Sequence, residues 1–362
     1  MRAFVALPAV AILSSVTLAQ SDSRLMDAVK RHDRQAVTTL VGAHVDVNAA
    51  QPDGATPLSW AVHLGDHEIA DALLAAGARV NTANEYGETP LTLASANGDA
   101  VLVERLLKAG ANAGAARWNG ETALMIAAGA GSVDAVKALI AHGAVVNAAE
   151  SRKGQTALMW AAAESHGDVV RALIDSGADV KAVSRSGFTP LVFAAVKNDA
   201  ASARSLLAAG ADPNHKLPSG NSALMVAAAY GREAVMRILA GAGADPSLKT
   251  ADGGTVLMAA AAGGTVAAVK YAYELDPRID VVSKSGATVL HAAVTATNGR
   301  SPAEICEVIQ FLADKGARLD ERDAAGRTPR QVASRMPIDK AAALLSALIT
   351  KSGATPKIAV PR

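Results

Sequence analysis

Apolar positions along this chain come in short clusters separated by polar and glycine-rich breaks. No stretch alternates convincingly in the manner of a strand. The clusters repeat in register: a leucine followed three residues later by an alanine (Leu58 and Ala61, Leu91 and Ala94, and so on to Leu290 and Ala293), then a second cluster ending in Leu73, Leu106, Leu139, Leu173, Leu206 and Leu239. Two residues three apart lie on one face of a helix, and a small alanine there lets a neighbouring helix approach closely. In most units a Val or Ile stands three or four residues before the second leucine, the same one-faced spacing on a second helix. The pattern predicts pairs of short amphipathic helices and no sheet.

The breaks are as regular as the clusters. Thr56, Thr89, Thr122, Thr156, Thr189, Ser222, Thr255 and Thr288 follow one another at 33 residues with a single step of 34, and Thr328 comes after a further 40. Two residues before each stands glycine, from Gly54 to Gly326, nine times in nine. Glycine supplies a positive-φ turn before a helix, and the hydroxyl that follows is an N-cap for an orphan amide of the first turn. Pro57, Pro90, Pro190 and Pro329 come next, at the first helical position, where a missing amide costs nothing. Four residues after the second leucine stand Gly77, Gly110, Gly143, Gly177, Gly210 and Gly243, the place for a left-handed C-terminal cap. A period of this length holds two helices and a turn but no self-sufficient core, so the chain reads as a stack of repeats.

At these residues the chain resembles the ankyrin repeat family. Gly54-Ala55-Thr56-Pro57-Leu58, Gly65, Leu73-Leu74, Gly77-Ala78 and Asn81 carry the match, which recurs over roughly residues 22–350. The resemblance implies an all-α solenoid of about ten helix-turn-helix repeats with β-turn fingers. One departure is visible: the family's histidine after the leucine survives only as His291, with Met125, Met159, Met225 and Met258 in the equivalent place elsewhere.

The register divides the chain into a leader (1–19), an N-terminal capping repeat (20–50), eight repeats (51–325), a C-terminal capping repeat (326–350) and a tail (351–362). The first repeat lacks the Thr-Pro-Leu start and is rich in charge, and in the last Arg330 replaces the leucine; both read as solvating caps. Repeats eight and nine break the pattern. Ala272 and Asp276 replace the leucine and the capping glycine, Tyr271 and Tyr273 enter, and seven extra residues fall between Thr288 and Gly316. Asn298-Gly299 can end one helix, and Ser301-Pro302-Ala303-Glu304 is a capping box for the next, so a longer helix pair is predicted near 295–302.

Composition fits thin helical layers: half the residues are apolar but only 3% aromatic. A formal charge of +1, falling to zero without the leader's Arg2, points to neither nucleic acid nor an anionic membrane. Met1-Arg2, an uncharged apolar run from Ala3 to Leu18, and Thr17-Leu18-Ala19 before Gln20 read as a cleaved signal peptide, shorter than a spanning helix needs. The lone Cys306 excludes an internal disulfide and reads as a small residue on the second helix of repeat nine. Absence of any Asn-x-Ser/Thr site joins these in pointing to a periplasmic or secreted bacterial protein, monomeric and without stable membrane insertion after cleavage.

No nucleophile elbow, phosphate loop, dinucleotide fingerprint or Cys-x-x-Cys occurs, so no catalytic, cofactor or metal residues are assigned. His63 and His67 have the spacing of a helical metal pair, but Gly65 between them ends the first helix. Recognition remains. In the family the fingers and the end of the first helix line a concave surface, which here implies Glu85, Tyr86 and Glu88; Trp118, Asn119 and Glu121; Arg152 and Lys153; Arg185 and Phe188; and Asn221 with Tyr230. Aromatics and arginine dominate interface energetics, and Tyr86, Trp118, Phe188 and Tyr230 fall in these slots. Trp60, Trp160 and Phe193, at positions held elsewhere by Leu93, Ile126 and Val226, are assigned to packing between layers. The function read from this is a non-catalytic scaffold of the cell envelope that binds a partner protein. The alternatives are a secreted binder of a host or competitor protein and, with least support, an enzyme.

Overall fold

In the computed structural model residues 23–295, 300–336 and 338–353 are described. The predicted leader 1–19, the Asn298-Gly299 helix end and most of the 351–362 tail lie outside them. The described residues hold twenty helices in ten consecutive pairs and, for extended structure, only isolated bridges at Ala116–Thr122 and Ala149–Thr156. This is the all-α stack the periodicity predicts. Every strong pairing of helices lies within a repeat or between neighbouring repeats, first helix on first helix and, along most of the stack, second on second.

Most first helices have seven residues, as in Pro57–His63, and most second helices nine, as in His67–Ala75. Helices that short are marginal alone and depend on their packed faces. The leucine and alanine columns supply that face: Leu58, Leu91 and Leu290 are at most 1% exposed, and the alanine of the column is wholly buried in all nine repeats from Ala61 to Ala333. Burying one such leucine contributes about 2 kcal/mol. Each column hydroxyl from Thr56 to Thr255, and Thr328, accepts the amide three residues on. All nine pre-helix glycines have positive φ. At Gly220 (φ 80°) a Cβ would stand 2.5 Å from the Ala251 amide nitrogen, so the next finger as well as the turn requires glycine there.

The fingers pair with one another through a backbone ladder. Glu85 donates to the Asp53 carbonyl (2.8 Å), Trp118 to Tyr86 (3.5 Å), Ser151 to Asn119 (3.1 Å) and Arg185 to Lys153 (2.8 Å); the row resumes with Ala251 to Ser219 (2.9 Å), Lys284 to Asp252 (2.7 Å) and Ala324 to Ser285 (2.9 Å). The rung between repeats six and seven is missing, because the donor position is Pro218, which has no amide hydrogen. There His215 Nε2 bridges to the Gly187 carbonyl instead (2.9 Å). The single 34-residue step is accommodated in the finger of repeat five. Its turn closes from Gly154 to Glu150, one residue wider than the Gly87–Asn84 turn, and the buried Glu150 carboxylate accepts the amides of Arg152, Lys153 and Gln155 across it.

Asparagines form a second set of staples. Asn48, Asn81, Asn147 and Asn214 each donate to the capping-glycine carbonyl of the following unit and accept an amide beside it.

The insertion expected near 295–302 falls largely outside the described residues; within them the first helix of repeat nine covers Val289–Thr295 and the second, Pro302–Asp314, is long, with thirteen. Its start is the capping box at Ser301 and Glu304 with Pro302 at the first turn. In repeat eight Gly264 is extended (φ −79°, ψ 168°), unlike the left-handed glycine that follows the first helix in repeat two. The carbonyls at that helix end are taken up by Arg300, whose guanidinium donates to Ala261 (2.8 Å) and Gly264 (3.3 Å) and also to Ala293 in its own repeat (3.3 Å). Asp276, where a glycine would cap the second helix, is buried and forms two 2.7 Å bonds to the Arg278 side chain.

Candidate partner-binding groove

Fingers and first-helix ends come together on one face of the stack. Between repeats six and seven, Phe188, Leu217 and Asn221 of the fingers meet Phe193, Val226 and Tyr230 of the helices around a mostly apolar recess of about 460 Å³, with Glu164 and Lys197 at its edge. A smaller recess of about 160 Å³ lies between repeats two and three, lined by Asp53, Trp60, His63, Asn84, Glu88 and Leu93. The first has room for an aromatic side chain.

Of the residues assigned from sequence, some are free and some are committed to the fingers. Trp118 is 75% exposed, Tyr86 55% and Tyr230 52%, and Glu85, Arg152, Lys153 and Arg185 are exposed as well. Phe188 is half-buried, its ring 5.3 Å from that of Phe193. Glu88 and Glu121 share Arg117 (2.8 and 3.1 Å). The Asn119 side chain accepts the Glu121 amide and its carbonyl accepts Ser151, while Asn221 bonds Ser219 within its own finger. These four hold finger shape, so the available contact groups are the aromatic and cationic ones together with Glu85.

Trp60, Trp160 and Phe193 are not interior residues. Each is half-buried, with one edge on the layers and one on the groove, because the helix position four after the cap faces the finger row. Trp60 donates its indole N–H to Gln51 (2.9 Å) and lies under the Lys30 ammonium, 4.4 Å away. The Trp160 ring covers Gly129 of the preceding repeat, where a Cβ would stand 2.9 Å from it. The extra signal in the sequence was the column itself: residues at Leu93 and Val226 in that place are half-buried too, although Ile126 is buried.

Electrostatics divide the face. The Tyr86 phenol is pushed up by its hydrogen bond to Glu85 and by the charges of Glu85, Asp53 and Glu88. Burial alone would push the Glu150 carboxyl up, but the three amides it accepts and the Lys153 ammonium hold it below the ordinary glutamate range. His63 and His67 stand on different helices; His63 packs edge-on against Trp60, and His67 Nε2 lies 2.6 Å from Asp99 of the next repeat. His291, the one family-type histidine, is held by Thr288 at Nδ1 (2.9 Å) and donates from Nε2 to the Arg327 carbonyl of the last repeat (2.9 Å). Cys306 is half-buried, and burial pushes its thiol up. No group of three or more metal-ligating side chains and no membrane-crossing helix occurs among the described residues.

The sequence profile for ankyrin repeats, three copies long, matches residues 25–116, 93–184, 149–217, 178–250 and 224–323. The chain belongs to the ankyrin repeat family. Solved structures agree. The human ASB11 ankyrin repeat domain is 27% identical with a TM-score of 0.55, over 60% of this chain and 96% of that one. The ankyrin repeat domain of Bcl-3, described as a unique member of the IkappaB family, is 31% identical with a TM-score of 0.52, over 60% and 98%. No curated protein sequence matches the chain. Ankyrin repeats generally serve as protein–protein interaction modules.

Proposed function

We propose that this ankyrin repeat protein is a non-catalytic scaffold that holds a partner protein along the finger groove of repeats three to seven, and that it works outside the cytoplasm as a monomer in the cell envelope. The carrying observation is the exposure of Tyr86, Trp118 and Tyr230 in a chain with so few aromatics, the first two on finger tips and Tyr230 at the rim of the apolar recess. Exposed aromatics on a rigid, pre-formed surface are the residues that dominate interface energies. Export rests on the leader signature of residues 1–19, the missing glycosylation sites and the single cysteine.

Joint substitution of Tyr86, Trp118 and Tyr230 by alanine is expected to weaken partner capture in the native envelope at least about tenfold, since each hot-spot residue carries about 2 kcal/mol or more. Thermal unfolding should move little, because all three side chains are more than half exposed. Unchanged capture would reject the groove. Cell fractionation checks the compartment: mature chain in the periplasm supports the envelope role, and accumulation in the medium transfers the reading to a secreted binder.

A further inference from the structure

The groove is electrically polarised along its length, and the polarity restricts what can lie in it. Fingers two to four carry Asp53, Glu85, Glu88 and Glu121 against the single cation Arg117. Asp53 and Glu85 have no cationic partner among the described residues, and their charges, with the hydrogen bond to Glu85 first, push the Tyr86 phenol up. Fingers five and six reverse the sign. Arg152, Lys153 and Arg185 are exposed and make no ion pair among the described residues, while the one carboxylate there, Glu150, is buried and satisfied by backbone amides. Beyond the cations comes the recess of Phe188, Phe193 and Tyr230.

We infer that the groove takes an extended peptide segment of its partner in which basic residues are followed in space by acidic residues and then by one bulky apolar side chain. This rests on the groove being the binding face, as proposed above. The basic end lies over Glu85, the acidic stretch over Arg152, Lys153 and Arg185, and the apolar anchor fills the recess. Adjacent repeats are spaced by a helix packing distance of about 8–10 Å, so fingers three to seven span about 35 Å. An extended chain advances about 3.3 Å per residue, which makes the segment roughly eleven residues long. Charge complementarity of this kind sets register and on-rate and penalises the inverted pattern by like-charge contact. A second copy of the chain or its own tail is a poorer match: residues 354–362 carry Lys357 and Arg362 and no carboxylate side chain.

The test is selection of random twelve-residue peptides displayed on phage against the full chain, followed by fluorescence anisotropy with the synthetic consensus peptide and its charge-inverted counterpart. The expected consensus has the basic, acidic, apolar order in one chain direction, binds at least tenfold tighter than its inverted form, and loses that margin in high salt. The Glu85→Arg, Arg185→Glu double variant, which should keep the parent Tm because both side chains are exposed, is expected to erase most of the preference, since Asp53, Glu88 and Glu121 at one end and Arg152 and Lys153 at the other remain. Selected peptides that need Trp118 and Tyr230 but show no charge order would overturn the polarity and leave the groove standing. Peptides indifferent to Trp118→Ala and Tyr230→Ala would overturn both. Concentration-dependent dimerisation lost in the same variants, or self-occupation relieved by deleting residues 354–362, would also overturn it.

Discussion

At Glu150 one carboxylate does what an asparagine or serine does in shorter fingers. Asn84 accepts two amides across its turn and Ser184 accepts one; Glu150 reaches across one more residue and accepts three. Replacing it by glutamine leaves a single neutral acceptor for three part-buried donors, and a loss of about 1 kcal/mol is expected, read from thermal unfolding. Because the folded carboxyl lies below its ordinary range, its contribution is complete at neutral pH and is lost as pH falls through that depressed value. The Gln155 amide resonance should therefore titrate at a pH below that of an exposed glutamate. A midpoint at or above the ordinary range would show that burial outweighs the hydrogen bonds.

Among elements, the joint between repeats eight and nine depends on a side chain. Without a left-handed Gly264 the end of Val256–Gly263 presents buried carbonyls that no local amide reaches, and Arg300 covers them from the next repeat. Arg300→Ala should cost about 1–3 kcal/mol by leaving acceptors unpaired, with Arg300→Lys recovering only part because an ammonium cannot fork over several carbonyls. Hydrogen exchange over residues 256–275 should rise in the alanine variant; unchanged protection would assign the capping to solvent. This also marks what sequence could reveal. Caps, turn glycines and core columns are local and periodic, so Thr56, Gly54 and Ala61 announce themselves. Asn48, Asn81 and Arg300 act on carbonyls roughly 29 to 39 residues away, visible only when layers are stacked. Within the groove, Tyr86 and Trp118 were legible as finger residues and Tyr230 as a helix-end residue, whereas the commitment of Glu88 and Glu121 to Arg117 depends on two fingers lying side by side.

For the whole molecule, a stack with only neighbour contacts unfolds by segments if one joint is weak. Repeat eight has lost its leucine and its capping glycine, while all three tryptophans, Trp60, Trp118 and Trp160, lie in repeats two to five. In urea, far-UV circular dichroism should begin to fall before tryptophan fluorescence does, since the C-terminal repeats melt first. Coincident transitions would instead make the chain one cooperative unit.

The proline in the seventh finger turns the row of tips into two zippers set end to end. Strain applied along that row, by a ligand prising the tips apart or by tension on the chain, has one place to tear without breaking a main-chain bond pair, and that place opens straight into the floor of the aromatic recess. Among the described residues the hydrogen bond that spans it is an imidazole clasp from His215.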